Sequence, residues 1–241
     1  MKHVLIWVML ASRFAAHRCE AAIETFTASG AGVSASVTFQ DIGGGELMVT
    51  LANTYTGDTP DQAHVLTGLF FSGANGLGEV SATAGPGSFQ WLNSTRSTPS
   101  GPAVLGTEWA YGSGSSAPGG ASAGIVSAGY YTPGRGNFAS PGDMLDGSAY
   151  GLVSAGYSGS ALDGLAGRTY IQGEMVFILN GFSGPLSISN VGFQYGTMLT
   201  DAFLTGNLAI IPESGSWAVA AALLGLASLL ARPIARNAGN C

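Results

Sequence analysis

The sequence predicts an all-β fold: a β-sandwich-like single domain between an N-terminal signal peptide and a C-terminal transmembrane helix. Three observations lead to this prediction. Apolar and polar residues alternate with a period of two in much of the central part, as they do in half-buried strands. Glycine, at 38 of 241 residues, separates the short apolar runs. No central segment has the spacing of an amphipathic helix of ordinary length, which favours a sandwich.

The N-terminus has the pattern of a signal peptide. Lys2 supplies a basic start, and Val4 to Ala11 form an apolar run that is too short to span a bilayer. Small residues offer a cleavage site near Ala22. We therefore expect export, and the chain divides into residues 1–22, an exported domain at 23–210 and a terminal segment at 211–241.

The exported domain opens with a predicted hairpin. Val33 to Phe39 and Leu47 to Leu51 alternate in polarity, and Asp41 to Gly45 lies between them. Glycine adopts positive φ at little cost, so this glycine-rich stretch is expected to turn the chain. Further strands are predicted at residues 63–72, 79–84, 88–92, 107–111, 169–180, 188–197 and 204–210.

Residues 112–167, which are rich in Gly, Ser and Ala, contain a short repeat. Ile125 to Tyr130 reads IVSAGY, and Leu152 to Tyr157 reads LVSAGY. Two copies are too few for a solenoid. We interpret them as equivalent strand ends or loops in one sheet, and a pair of ligand-binding loops is the alternative.

Composition restricts the function of the exported domain. Its only basic residues are three arginines, which stand against twelve acidic residues and give a formal charge of −9. Phosphate binding needs a basic surface, so nucleic acid is excluded as a partner. Cys19 and Cys241 both lie in the flanking segments, so the domain has neither a disulfide nor a thiolate metal site.

The C-terminal segment combines a short motif, an apolar run and basic residues. Pro212 and Glu213 come first, Trp217 to Ala231 carries no charge, and Arg232 and Arg236 follow. A helix rises 1.5 Å per residue and a bilayer core is about 30 Å thick, so this run spans it only if the flanking arginine reaches the interface. The arrangement predicts a C-terminal membrane anchor that leaves the preceding domain outside.

This order of parts resembles the PEP-CTERM sorting signal of Gram-negative bacteria. Ser214 stands where the family has a second proline, and residues 233–235 interrupt the arginine cluster. The residues that carry the resemblance are Ile211, Pro212, Glu213, Trp217, Arg232 and Arg236. The resemblance implies that the inner membrane holds the chain until an exosortase cleaves it near Pro212. An ordinary anchor without processing is the alternative.

Several segments of the domain also resemble a subgroup of exosortase-dependent surface proteins. They are Leu66 to Phe71, Glu108 to Gly112, the repeat, and Ser189 to Thr197. The family has no assigned enzymatic activity, so the resemblance implies a location and little chemistry.

Candidate catalytic residues are few. His64 is the only histidine of the domain, and a Ser-His-Asp triad would have to use it. Glycoside hydrolysis needs two carboxylates, and Glu108 beside Trp109 and Tyr111 is the best local acid, with Glu174 as a second carboxylate. The alternative is that Glu108 is a strand-edge residue and His64 is structural.

Calcium is the one metal that the sequence suggests, because carboxylate-rich loops supply the oxygen ligands of hard cations. The weak candidates are Asp58, Asp61, Asp143 and Asp146. Neither pair has the spacing of a known calcium loop, so solvated turns are the favoured interpretation and no cofactor is expected.

These observations predict a non-enzymatic protein of the cell surface or extracellular matrix, of the kind found in biofilms. One alternative is a carbohydrate-binding β-sandwich that binds extracellular polysaccharide. Its candidate stacking residues are Trp91, Trp109 and Tyr111, with Tyr130 and Tyr157 in the repeat. A secreted hydrolase that uses Glu108 is the second alternative.

Overall fold

The computed structural model describes two β-sheets packed face to face, which confirms the all-β, sandwich-like prediction. The described residues are 21–30, 32–114, 117–129, 136–139, 145, 147–159 and 166–210. The predicted signal sequence apart from Ala21 and Ala22, the predicted transmembrane helix and all six predicted sorting residues lie outside them. Within the described ranges, no helix is both long enough and apolar enough to cross a membrane.

The smaller sheet has six strands in the order β16-β1-β2-β3-β13-β5. Every pair in it is antiparallel. Its strands are β1 (Ile23–Gly30), β2 (Val33–Gly43), β3 (Glu46–Asn53), β5 (Gly78–Ala84), β13 (Glu174–Asn180) and β16 (Asn207–Leu208).

The larger sheet has ten strands, eight of them in the order β10-β8-β9-β4-β11-β12-β6-β7, with β14 pairing β4 and β15. Its strands are β4 (Leu66–Ser72), β6 (Phe89–Leu92), β7 (Thr95–Ser97), β8 (Ala110–Ser113), β9 (Ala123–Val126), β10 (Gly136–Asn137), β11 (Leu152–Val153), β12 (Thr169–Gln172), β14 (Ser189–Tyr195) and β15 (Phe203–Thr205). One short helix, α1 (Pro102–Glu108), and two 3-10 turns (Gln62–His64 and Pro118–Gly120) complete the described part.

The predicted hairpin is confirmed as β2 and β3. Val37 lies opposite Leu51 and Phe39 opposite Val49, so the apolar residues of both strands share the inner face. The turn falls at three glycines, Gly43 to Gly45, all with positive φ. The preceding strand, β1, was not predicted from the sequence, because only Phe26 and Ala28 of its eight residues are buried and its remaining positions give no alternation.

The strand predicted at residues 169–180 is wrong as a single element, because it divides between the two sheets. β12 pairs with β6 in the larger sheet, whereas β13 pairs with β3 and β5 in the smaller one. Gly173 separates them with φ of +117°. A side chain there would strain this backbone conformation and collide with Ser88. Glycine is therefore the residue that lets the chain turn the corner.

Two other predicted boundaries are also corrected. Thr107 and Glu108 belong to α1 instead of a strand, and Pro102 at the first helical turn marks that helix. Residues 62–64 form a 3-10 turn, so β4 begins only at Leu66. The repeat was interpreted correctly, since its copies begin in β9 and β11, which both pair with β4.

The main core fills the space between the sheets. Phe39 of the smaller sheet packs against Phe71 of the larger one, with ring centroids 5.0 Å apart. Phe177 lies 5.1 Å from Trp109 and 5.2 Å from Phe138. These rings are almost fully buried, so they link the inner faces of both sheets.

The larger sheet also buries apolar groups on its outer face. Ile171 and Leu152 point into the main core, whereas their neighbours Tyr170 and Val153 belong to a separate cluster. Successive strand residues point to opposite faces, so this second cluster lies outside the sandwich. Its other members are Val65, Trp91 and Tyr157. The loops that cover it form the site described below.

Two buried side-chain atoms have no hydrogen-bond partner among the described residues, Gln194 Oε1 and the Tyr195 hydroxyl oxygen. The Tyr195 hydroxyl is fully buried and unpaired, and burial raises the pKa of Tyr195 far above its ordinary value. The folded state therefore holds this proton more tightly than the unfolded state does. Titration of this group therefore leaves the free energy of unfolding unchanged below about pH 10 and lowers it as the pH rises further, because the unfolded chain then releases the proton.

We expect Tyr195→Phe to stabilise the fold by about 1 kcal/mol or more at pH 7, because it removes an unsatisfied buried hydroxyl. The advantage should widen above pH 10. The measurement is the urea midpoint from pH 7 to pH 11. Tyr170→Phe is the matched control, since that hydroxyl lies 3.1 Å from Ser148 Oγ and its loss should destabilise the fold. A Tyr195→Phe protein less stable than wild type at pH 7 contradicts the argument.

Candidate functional site

Two of the three predicted glycan-stacking residues are part of the core. Trp109 is fully buried, its indole N–H donates to the Tyr150 carbonyl at 3.2 Å, and its ring packs on Phe177. Tyr111 is 1% exposed, and its hydroxyl donates to the Ala74 carbonyl at 2.9 Å. Neither ring has a free face, so the prediction that they stack on sugar is corrected.

The third predicted residue, Trp91, borders an open groove on the outer face of the larger sheet. The groove has a volume of about 500 Å³. It is lined by Gly87, Phe89, Trp91, Arg96, Ala155, Tyr157, Ser158, Gln172 and Gly173. Trp91 is only 8% exposed and packs edge-on against Tyr157, with centroids 5.3 Å apart. The exposed edge of the Trp91 ring therefore forms part of the groove floor.

The β6–β7 hairpin places an arginine beside these rings. Trp91 lies directly opposite Arg96 in the hairpin, and Phe89 is two residues before Trp91 on the same face. The guanidinium carbon of Arg96 lies 3.1 Å from the centroid of the Phe89 ring and 5.9 Å from that of Trp91. This is cation–π geometry, and it holds an exposed positive charge at the groove.

Gln172 connects Trp91 on the groove floor to the loop that contains Tyr157. Its Oε1 accepts the indole N–H of Trp91 at 2.9 Å. Its Nε2 donates to the carbonyls of Ala155 at 2.9 Å and Tyr157 at 3.0 Å. One amide thus fixes both the ring orientation and the loop of the second repeat copy, because its oxygen and nitrogen have different partners.

Asp58 binds the same loop at Ser158. Its carboxylate accepts the Ser158 hydroxyl at 2.7 Å and the backbone N–H groups of Ser158 at 3.3 Å and Thr59 at 2.9 Å. Burial, followed by the nearby charge of Asp58 and then that of Tyr170, raises the pKa of Tyr157. Tyr157 is therefore neutral at physiological pH.

A second depression adjoins the groove. It has a volume of about 440 Å³ and is lined by Ser88, Phe89, Arg96, Ser97, Thr98 and Pro99. Phe89 and Arg96 line both depressions, so the cation–π pair forms the ridge between them. The described lining holds hydroxyls, aromatic carbon and a guanidinium, but no histidine or carboxylate. Such a surface is suited to binding a ligand.

The predicted calcium residues have structural roles where they are described. Asp58 binds the loop as above. Asp61 caps the 3-10 turn by accepting the Ala63 N–H at 2.9 Å, and it pairs with His64 Nδ1 at 2.7 Å. Asp143 and Asp146 lie outside the described residues. Within the described ranges, no cluster of three or more His, Cys, Asp or Glu side chains could hold a metal ion.

The two hydrolase candidates occupy different elements. Glu108 is the half-buried last residue of α1, and Glu174 is the exposed first residue of β13. Neither lines either depression. The hydrolase interpretation stays a prediction, and a Glu108→Gln protein as active as wild type would remove it.

Comparison of the chain with protein-family models, with curated proteins and with solved structures finds no match in any of the three.

We expect Asp58→Asn to lower the pKa of Tyr157, although not to its ordinary value, because the larger effect of burial remains. The measurement is an NMR titration with ring-labelled tyrosine, which separates Tyr157 from the other seven tyrosines of the chain. Asp61→Asn serves as the control and should leave the titration of Tyr157 unchanged. An identical Tyr157 curve in wild type and Asp58→Asn contradicts this account of the electrostatics.

Proposed function

We propose that this chain is a non-enzymatic exported protein of a Gram-negative bacterium, displayed at the cell surface or retained in the extracellular matrix. An exosortase processes its C-terminal segment. One observation carries the proposal: the two ends of the sandwich lie side by side, so both predicted membrane-directed segments leave the domain at the same place.

The geometry of these ends is specific. β16 runs antiparallel to β1, with Leu208 opposite Phe26, and the Ala209 N–H donates to the Thr25 carbonyl at 2.7 Å. β1 starts at Ile23, so residues 209–210 lie beside the point where the mature N-terminus is expected. Ile23 is 53% exposed and Ile210 is 91% exposed. One membrane can therefore receive both flanking segments without distorting the domain.

Cleavage near Pro212 is compatible with this arrangement. The last described strand ends at Leu208, so a chain that ends near Pro212 keeps every described strand. Proline fixes φ and lacks an N–H donor, which favours the extended peptide that a protease binds. The role of Glu213 in recognition is inferred from the family resemblance alone.

The lining of the groove also supports a binding role for the exported domain. Its described residues offer hydroxyls, aromatic carbon and a guanidinium, which are groups that contact a ligand.

The first test is the mass and location of the mature protein in its native host, measured by intact mass spectrometry of fractionated cells. We expect a mature chain that begins near residue 23 and ends near residue 212, outside the inner membrane. Replacing Pro212 by Ala together with Glu213 by Gln should leave the tail in place. Ser216→Ala is the control, since it changes no part of the motif. An intact wild-type tail in the inner membrane would make this a simple anchored protein.

A second candidate function is carbohydrate binding, and the groove is the observation that favours it. The residues that carry it are Phe89 and Arg96 on the ridge, with Trp91 and Tyr157 below, in place of Trp109 and Tyr111. Exposed aromatic carbon beside hydroxyl groups is the surface that sugar rings stack on and hydrogen-bond to.

This candidate predicts that the full-length chain migrates more slowly in gels that contain a polysaccharide. Phe89→Ala should weaken binding about 3- to 10-fold, in line with an aromatic contact of about 0.5–1.5 kcal/mol. Leu92→Ala is the matched control, because Leu92 is exposed on the same strand and its position faces the other way. Unchanged migration with every polysaccharide tried, or equal retardation of Phe89→Ala, rejects carbohydrate binding at this groove.

A further inference from the structure

Arg96 is an exposed cation in a strongly acidic domain. The domain has three arginines against twelve acidic residues and no lysine. Among the described residues, the only ion pair joins Asp61 and His64, so no described carboxylate pairs with Arg96. The groove therefore presents a positive charge that the described part of the chain leaves for a ligand.

The Arg96 side chain is also held in place. Hairpin pairing fixes its Cα opposite that of Trp91, and the Phe89 ring supports the guanidinium at 3.1 Å. A guanidinium stacked on a ring still points its N–H donors outward, and it binds carboxylates through two parallel hydrogen bonds. Because little rotamer freedom remains to be lost, such a fork is prepared to bind an anion.

The surroundings of Arg96 restrict the kind of anion. Ser97 and Thr98 on one side and Ser158 on the other bring hydroxyl groups to the two depressions. The domain charge of −9 opposes every polyanion, and it opposes most strongly those that carry more than one negative charge per unit. Asp58, bound to Ser158, adds a negative charge near one depression. A ligand with one carboxylate among many hydroxyls fits this environment better than a phosphate-rich ligand does.

We propose that the Phe89–Arg96 groove binds an acidic polysaccharide, with Arg96 receiving the carboxylate of a uronic acid residue and the two flanking depressions holding its neighbours. This inference rests on the carbohydrate-binding candidate and names its ligand class. Arg96 gives the groove its preference for an acidic sugar, and the Phe89 ring is the surface that supports the Arg96 guanidinium.

The test compares polyuronates with their uncharged methyl esters. The full-length chain, held in a detergent without a sugar headgroup, is titrated with polygalacturonate and alginate, each beside its methyl ester. Polyglutamate serves as an acidic polymer that is not a saccharide. We expect at least one polyuronate to bind about tenfold more tightly than its ester, as for a charge-assisted hydrogen bond, and this preference to fall with salt.

Variants separate the charge of Arg96 from the fold. Arg96→Gln should abolish the preference for acid over ester, and Arg96→Lys should retain part of it, since lysine keeps the charge but not the fork. Arg168→Gln removes the same charge elsewhere and should leave the preference intact. Thermal melts establish that each variant is folded.

The outcomes distinguish this inference from the function on which it rests. Equal binding of acid and ester by wild type, or an unchanged preference in Arg96→Gln, overturns the acidic ligand but leaves carbohydrate binding standing. Polyglutamate bound as tightly as the polyuronates overturns the saccharide class. Binding to none of these polymers or to any neutral polysaccharide rejects both proposals.

Discussion

The fold depends on a single corner in the backbone. At Gly173 the chain leaves the larger sheet and enters the smaller one, and Ser88 secures the crossing. The Ser88 hydroxyl donates to the Glu174 carbonyl at 3.1 Å and accepts the Glu174 N–H at 2.9 Å. Both backbone groups of Glu174 thereby have partners at the corner, and its carbonyl also accepts the Gly85 N–H at 2.7 Å. Because β12 and β13 are continuous through this corner, pairing in one sheet determines where the other sheet begins.

The same corner positions the groove. Ser88 precedes β6, which carries Phe89 and Trp91, and Gln172 is the last residue before Gly173. Through its hydrogen bonds, Gln172 also holds the loop that contains Tyr157 in a fixed position relative to the corner. Core packing, the crossing between sheets and the groove floor are therefore one connected structure. A change at the corner would therefore alter both the stability of the fold and the shape of the groove.

The sequence alone predicts those elements whose signals lie within a few neighbouring residues. The β2–β3 hairpin follows from alternation and three consecutive glycines. The division at Gly173 was missed because apolar residues continue on both sides of it, although a glycine within a strand pattern signals such bends. Trp109 and Tyr111 were misjudged because aromatic residues near a turn look alike in sequence whether they face the core or solvent. Arg96 and Gln172 were overlooked because their roles arise only from strand pairing and from contacts with distant loops.

The position of β16 limits how far the domain can stand from whatever holds its C-terminus. Three residues lie between Leu208 and Pro212, so four Cα–Cα steps join them. At about 3.3–3.6 Å per step, this tether reaches at most about 14 Å. The folded part, at about 170 residues, has a radius of gyration of about 15 Å, so the tether is shorter than the domain is wide. A sandwich that is attached at Pro212 lies directly against the surface that holds it. The area of the domain itself then determines how densely neighbouring copies can be arranged.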